Sequence, residues 1–124
     1  MIYFLTVQQV IQIHDDQLAR FGGLEGFRDF GLVEGMVARV ENLHHYTGEE
    51  DLFMLAAAYL LAVSRGHGFN DANKRTATAS AMVFLAMNDV AIEPELAFAD
   101  FVVEAAQGLH DDVTVAAELR KYII

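Results

Sequence analysis

The sequence predicts an all-α fold, a single compact bundle of about six helices. Three observations carry that reading. Apolar residues recur at helical spacing in successive stretches of the chain. Capping residues and glycines stand at the ends of those stretches. No repeat, low-complexity tract or linker separates them, and 124 residues are enough for one core, so one domain over residues 1–124 is expected.

Residues 2–5 read as a short extended lead-in. Thr6 and Gln9 have capping-box spacing. Val7, Val10, Ile11, His14 and Leu18 follow on one helical face, and Gly22-Gly23 stops that helix. Residues 22–31 hold four glycines and read as a loop. Asp29 is the expected cap of a second helix with Leu32, Val33, Met36, Val37 and Val40 on its apolar face. Residues 42–48, with His44, His45 and Tyr46, read as an exposed connection. Glu49, Glu50 and Asp51 place negative charge at the start of a third helix, where the helix dipole favours it. Leu52 to Val63 is apolar all round, so this helix is expected to be buried on most sides before it stops near Arg65-Gly66. A fourth central helix is predicted over 73–88, with Ala77, Ala81, Phe84, Leu85 and Asn88 on one stripe. Pro94 suits the first turn of a fifth helix reaching Gln107, closed by Gly108. Asp112 or Thr114 is the expected cap of a last helix running through Val115, Leu119 and Tyr122.

Composition narrows the function. A net charge of −10 opposes direct binding of a nucleic-acid backbone, which needs a surplus of Lys and Arg. It leaves room for a basic partner protein. The chain has no cysteine, which excludes disulfides, thiolate metal sites and a cysteine nucleophile. No secretory leader stands at the N-terminus, and the longest apolar run is far short of the ~20 residues of a membrane span, so a cytoplasmic protein is expected.

Between the two central helices lies an abruptly polar stretch, His67-Gly68-Phe69-Asn70-Asp71-Ala72-Asn73-Lys74-Arg75. A polar loop carried by the core is where function is sought first. The amides that open the fourth helix, its dipole, and the charges of Lys74 and Arg75 together favour a polyphosphate ligand. Asn73 adds an amide donor. Asp71 is an oxygen ligand suited to Mg²⁺ shared with nucleotide phosphates. His67 is the side chain whose ordinary titration range suits a general base near neutral pH. Phe69 is the apolar anchor. The plainer alternative is that Asp71 and Asn73 only cap the helix while Lys74 and Arg75 are solvated. His14 is either a site-lining residue or a satisfied, partly buried histidine. His44, His45 and His110 are read as exposed, Arg20 and Arg65 as ordinary salt-bridge partners, and Met36, Met54, Met82 and Met87 as core fillers.

The stretch resembles the motif of the Fic/Doc (Fido) superfamily, His-x-Phe-x-Asp/Glu-Gly-Asn-Gly-Arg-x-x-Arg. His67, Phe69, Asp71, Asn73 and Arg75 match it. Ala72 and Lys74 replace its two glycines, and Thr78 stands at its second arginine. Those departures are the form of the Doc branch, the toxins of toxin–antitoxin modules. His14-Asp15, Arg20-Phe21-Gly22-Gly23, Arg28-Asp29-Phe30-Gly31-Leu32 and Glu34 through Arg39 are similar to Doc sequences as well.

The resemblance implies a Fido fold. It also implies His67 as the base that activates a target hydroxyl, Asp71 as the Mg²⁺ ligand, and Asn73, Lys74 and Arg75 as contacts to ATP phosphates. It implies a protein kinase that transfers the γ-phosphate to a threonine of elongation factor Tu, and a small antitoxin whose C-terminal segment occupies a groove on the toxin. Typical Fic enzymes instead transfer AMP, which is the alternative activity. A non-catalytic helical interaction module is the third reading.

Overall fold

The computed structural model describes residues 1–124. Its six helices are α1 (Val7–Phe21), α2 (Phe30–Thr47), α3 (Leu52–Gly66), α4 (Asn73–Met87), α5 (Phe98–Ala106) and α6 (Asp112–Arg120). There are no strands; two isolated bridges join Phe27 to Phe69 and Ile92 to Ile123. The all-α expectation therefore holds. No helix is long and apolar enough to cross a membrane.

Helix α3 is the axis of the bundle, packed by α2, α4, α5 and α6, while α1 lies against α4. Its all-round apolarity is the cause, since eight of its residues, from Leu55 to Ser64, are buried. Ala56 and Ala57 on α3 and Ala77 and Ala81 on α4 are fully buried small residues. A single cluster of 25 buried residues draws on all six helices, so there is one core. Leu5 enters it from the N-terminal lead-in, where its N–H donates to the Tyr59 hydroxyl at 2.9 Å. Burial is also what holds the Tyr59 phenol well above its usual range.

The caps are local and mostly as predicted. Thr6 and Gln9 form the reciprocal capping box of α1. Asp29 accepts from Gly31 N–H at the start of α2, and Asp51 accepts from the amides of Phe53 and Met54 at the start of α3. Asp51 also pairs with Arg120, tying α3 to α6. The cap of α6 is Asp111, one residue before the predicted Asp112, and Tyr122 lies beyond the end of that helix.

Several expectations are corrected. Residues 42–48 are not an exposed connection: α2 runs on to Thr47 and ends at Gly48, which is left-handed. Leu43 packs against the core there, and His44 bonds the Glu49 carbonyl at 2.6 Å and lies against Phe4, so His44 is half-buried. The fifth helix starts at Phe98, not at Pro94, because the preceding segment is held by the C-terminus. Glu93 N–H donates to the Tyr122 carbonyl, and Ile124 N–H donates to that of Ala91. Arg65 forms no salt bridge; it donates to the carbonyls of Ala105 (2.8 Å) and His110 (2.7 Å), closing the end of α5 onto α3. Arg20 does pair with Asp16. His110 is half-buried, stacked on Phe101 at 4.2 Å, so of the three histidines read as exposed only His45 is. Leu32, placed on the apolar face of α2, is 43% exposed.

Thr76 and Ser80 are fully buried on α4, and neither hydroxyl has a partner. An unpaired buried hydroxyl keeps its desolvation cost, and alanine is the better helix former. Ser80→Ala is therefore expected to raise unfolding stability by about 1 kcal/mol, read as a higher urea midpoint at unchanged slope.

Candidate active site

Helix α3 ends because His67 turns left-handed, at φ 50° and ψ 36°. That reversal takes the chain out of the bundle axis and leaves the His67 side chain exposed. Gly68 then passes so close to α2 that a Cβ there would sit 2.8 Å from Met36 Cε and 2.9 Å from Val33 Cγ2. Its carbonyl accepts the N–H groups of Arg28 (2.9 Å) and Asp29 (3.3 Å), and Asn70 N–H donates to the Gly26 carbonyl (3.1 Å). The glycine-rich segment between α1 and α2 is in this way laced to the polar loop through the Phe27–Phe69 bridge.

Phe69 is the anchor that the sequence predicts, at 2% exposure. Its ring stacks on His14 with centroids 3.8 Å apart and planes 8° from parallel. Its backbone is gripped by Asn73, whose Oδ1 accepts Phe69 N–H (3.3 Å) and whose Nδ2 donates to Phe69 O (3.1 Å). Both polar atoms of Asn73 are thereby engaged in shaping the loop.

Asp71 is half-buried. Its Oδ2 accepts Leu24 N–H at 3.0 Å and its Oδ1 accepts Ala72 N–H at 2.8 Å. These two amides, with a further contribution from the Arg75 charge, hold its carboxyl below the usual carboxylate range. A depressed carboxylate stabilises the fold above its ordinary titration range, and that contribution is lost as pH falls through the lowered value. The contact to Leu24 is thus fully in place at neutral pH.

Ala72 is also left-handed, at φ 63°, and it opens α4 with no side-chain cap. Neither Asp71 nor Asn73 caps this helix, contrary to the plainer alternative. The first amides of α4 therefore remain available at the loop, with the positive end of the helix dipole behind them. Lys74 is exposed in that first turn. Arg75 is more restrained, since its Nη2 donates to the Gly22 carbonyl (3.0 Å) and its guanidinium lies 5.9 Å from the centre of the Phe21 ring. Thr78 Oγ1 donates back to the Lys74 carbonyl.

His67, Asp71, Lys74 and Arg75 thus share one loop-to-helix junction, with Asn73 as its internal brace. The sequence reading missed that the end of α1 forms a wall of this junction. A Cβ on Gly23 would lie 2.8 Å from Asp71 Oδ2 and 3.2 Å from Arg75 Nη2. The paired glycines were legible only as a helix stop. No group of three or more His, Cys, Asp or Glu side chains gathers anywhere to cage a metal. A single carboxylate with free lone pairs beside open amides suits Mg²⁺ that takes its remaining ligands from phosphates and water.

The family model described as the Fic/DOC family matches residues 4–85, a span that includes the end of α1 and the 67–75 loop and ends within α4. The chain belongs to the Fic/DOC family. It is 42% identical over 117 residues to the "Protein kinase doc" of Escherichia phage P1, covering 94% of this chain and 93% of that relative. It is 37% identical over 108 residues to the "Toxin Doc" of Mycolicibacterium smegmatis, covering 80% of this chain and 79% of that one.

The tight passage of Gly68 makes the junction sensitive to one methyl. Gly68→Ala is expected to cost about 1–3 kcal/mol through the clash with Val33 and Met36, measured as a lower urea midpoint.

Proposed function

We propose that this chain is a Doc-type protein kinase, the toxin of a type II toxin–antitoxin module. It transfers the γ-phosphate of ATP to a threonine hydroxyl of elongation factor Tu and so blocks translation. The observation that carries the reading is the uncapped start of α4, flanked by Lys74, Arg75 and the Asp71 carboxylate, with His67 exposed at the end of α3. The names of both relatives support it.

In this reading His67 accepts the proton of the target hydroxyl. The hydroxyl oxygen bonds to the γ-phosphorus, the bond from that phosphorus to the β–γ bridging oxygen breaks, and ADP leaves. The open amides of α4, Lys74 and Arg75 offset the charge on the phosphoryl oxygens. Asn73 keeps the loop in shape for this contact. Mg²⁺, when held between Asp71 and the nucleotide, would neutralise phosphate charge. Lys74 is what favours phosphoryl over AMP transfer: it puts a cation where the wider family has a glycine, and Thr78 lacks the second guanidinium that seats a triphosphate for AMP transfer.

The proposed antitoxin needs an apolar receptor for its C-terminal segment. A groove of about 560 Å³ runs between α1, α4 and the segment before α5, lined by Phe21, Met82, Pro94, Leu96 and Phe98 and passing Arg75 and Thr78. It supports such a partner. With a net charge of −10, no nucleic-acid partner is proposed.

ATP labelled separately at the α and γ positions, incubated with purified elongation factor Tu, tests the transfer. Label is expected on the target from the γ position only; label from the α position alone means AMP transfer. His67→Asn, whose side chain tolerates the left-handed backbone, is expected to lower transfer about 10²–10⁴-fold at unchanged helix content. Undiminished transfer in that variant would remove His67 from the role of base, whereas undiminished toxicity without any transfer would favour the non-catalytic module.

A further inference from the structure

His14 has no part in the chemistry above, yet it is 1% exposed and touches the site at two points. Its ring covers one face of Phe69. Its Nε2 lies 2.9 Å from the backbone oxygen of Asp71, across 57 residues of sequence. A carbonyl oxygen only accepts, so Nε2 carries the hydrogen, which fixes how the ring is protonated at that atom. Nδ1 points the other way, to an exposed Asp15 carboxylate 3.6 Å off.

An apolar side chain would fill this position without the cost of burying a polar ring. What the imidazole adds is one directed hydrogen bond to the peptide that carries Asp71. The carboxylate of the same residue is steered from the other side by Leu24 N–H and Ala72 N–H. The main-chain oxygen is tethered by His14 and Ala72 is held left-handed just beyond it, so the peptide and the carboxylate of Asp71 are each held by hydrogen bonds. Partners behind a metal ligand commonly govern its aim in this manner.

We propose that His14 is a positioning residue that sets the direction of the Asp71 carboxylate through the Nε2–H bond to its peptide oxygen. The inference rests on the reading of Asp71 as the Mg²⁺ ligand, and it assigns to α1 a share in phosphoryl transfer beyond packing.

Two amide variants separate the bond from the packing. His14→Gln places an amide N–H at the reach of Nε2, whereas His14→Asn reaches only as far as Nδ1. His14→Asn is expected to lower kcat about 10–100-fold and to raise the half-saturating Mg²⁺ concentration, with a smaller change in KM for ATP. In the same variant, hydrogen exchange at the Leu24 and Ala72 amides is expected to be about 10-fold faster, because the carboxylate they bond has lost its aim. His14→Gln is expected to restore all of these readings to within about threefold of the parent. Equal behaviour of the two variants overturns the proposal. Should His14→Asn fail to fold, His14→Phe keeps the stacked ring without the donor and must show the same losses; parental rates and exchange in it overturn the proposal as well. If the parent protein transfers no phosphate at all, the kinase reading fails, and exchange at Leu24 and Ala72 still decides the role of His14.

Discussion

Phe69 lies almost fully buried within a loop whose other side chains are mostly polar, and its burial is the main hydrophobic tether between the ends of α3 and α4. Placing such a ring in a core is worth about 1.5–3 kcal/mol. Several features depend on where it sits. His14 stacks on it, Asn73 brackets its backbone, and Phe27 bridges to it from the glycine-rich segment. Moving that ring would shift the Asp71 peptide and the first turn of α4 together.

Against this tether the loop holds two left-handed residues that are not glycine, His67 and Ala72. Such backbone is tolerated only where its surroundings over-determine it. Here they do. Ala72 N–H is taken by Asp71, and its carbonyl accepts Thr76 N–H to begin α4. Its methyl is buried, which offsets part of the strain that glycine would avoid. The result is a helix that begins without a cap, and a capping side chain is what would otherwise occupy its first amides.

Local signals were legible in the sequence; distant ones were not. The capping box at Thr6, the acidic start of α3 and the polar island at 67–75 each act within a few residues, and each is found where it was read. The end of α2 was misjudged because His44, His45 and Tyr46 dilute its apolar spacing, although Gly48 marked the true stop. The start of α5 was misjudged because the C-terminal residues restrain 91–93, a contact no nearby residue announces. For the same reason the site was read as one continuous stretch, although Gly22, Gly23 and Leu24 close over Asp71 and Arg75. Their partners lie 47 and more residues away, and a paired glycine gives no hint of whom it must admit.

That two-part construction has a consequence for when the junction becomes complete. As a chain leaves the ribosome, α1 emerges first, and the loop it must grip follows some fifty residues later. Bonds spanning such a separation form late, because loop closure must precede them. The junction at α4 is therefore assembled only after α1, α3 and α4 have met. A nascent or truncated chain carrying every residue of the 67–75 stretch still lacks its wall. Completion of this junction is a property of the finished molecule, reached only once α1 has docked.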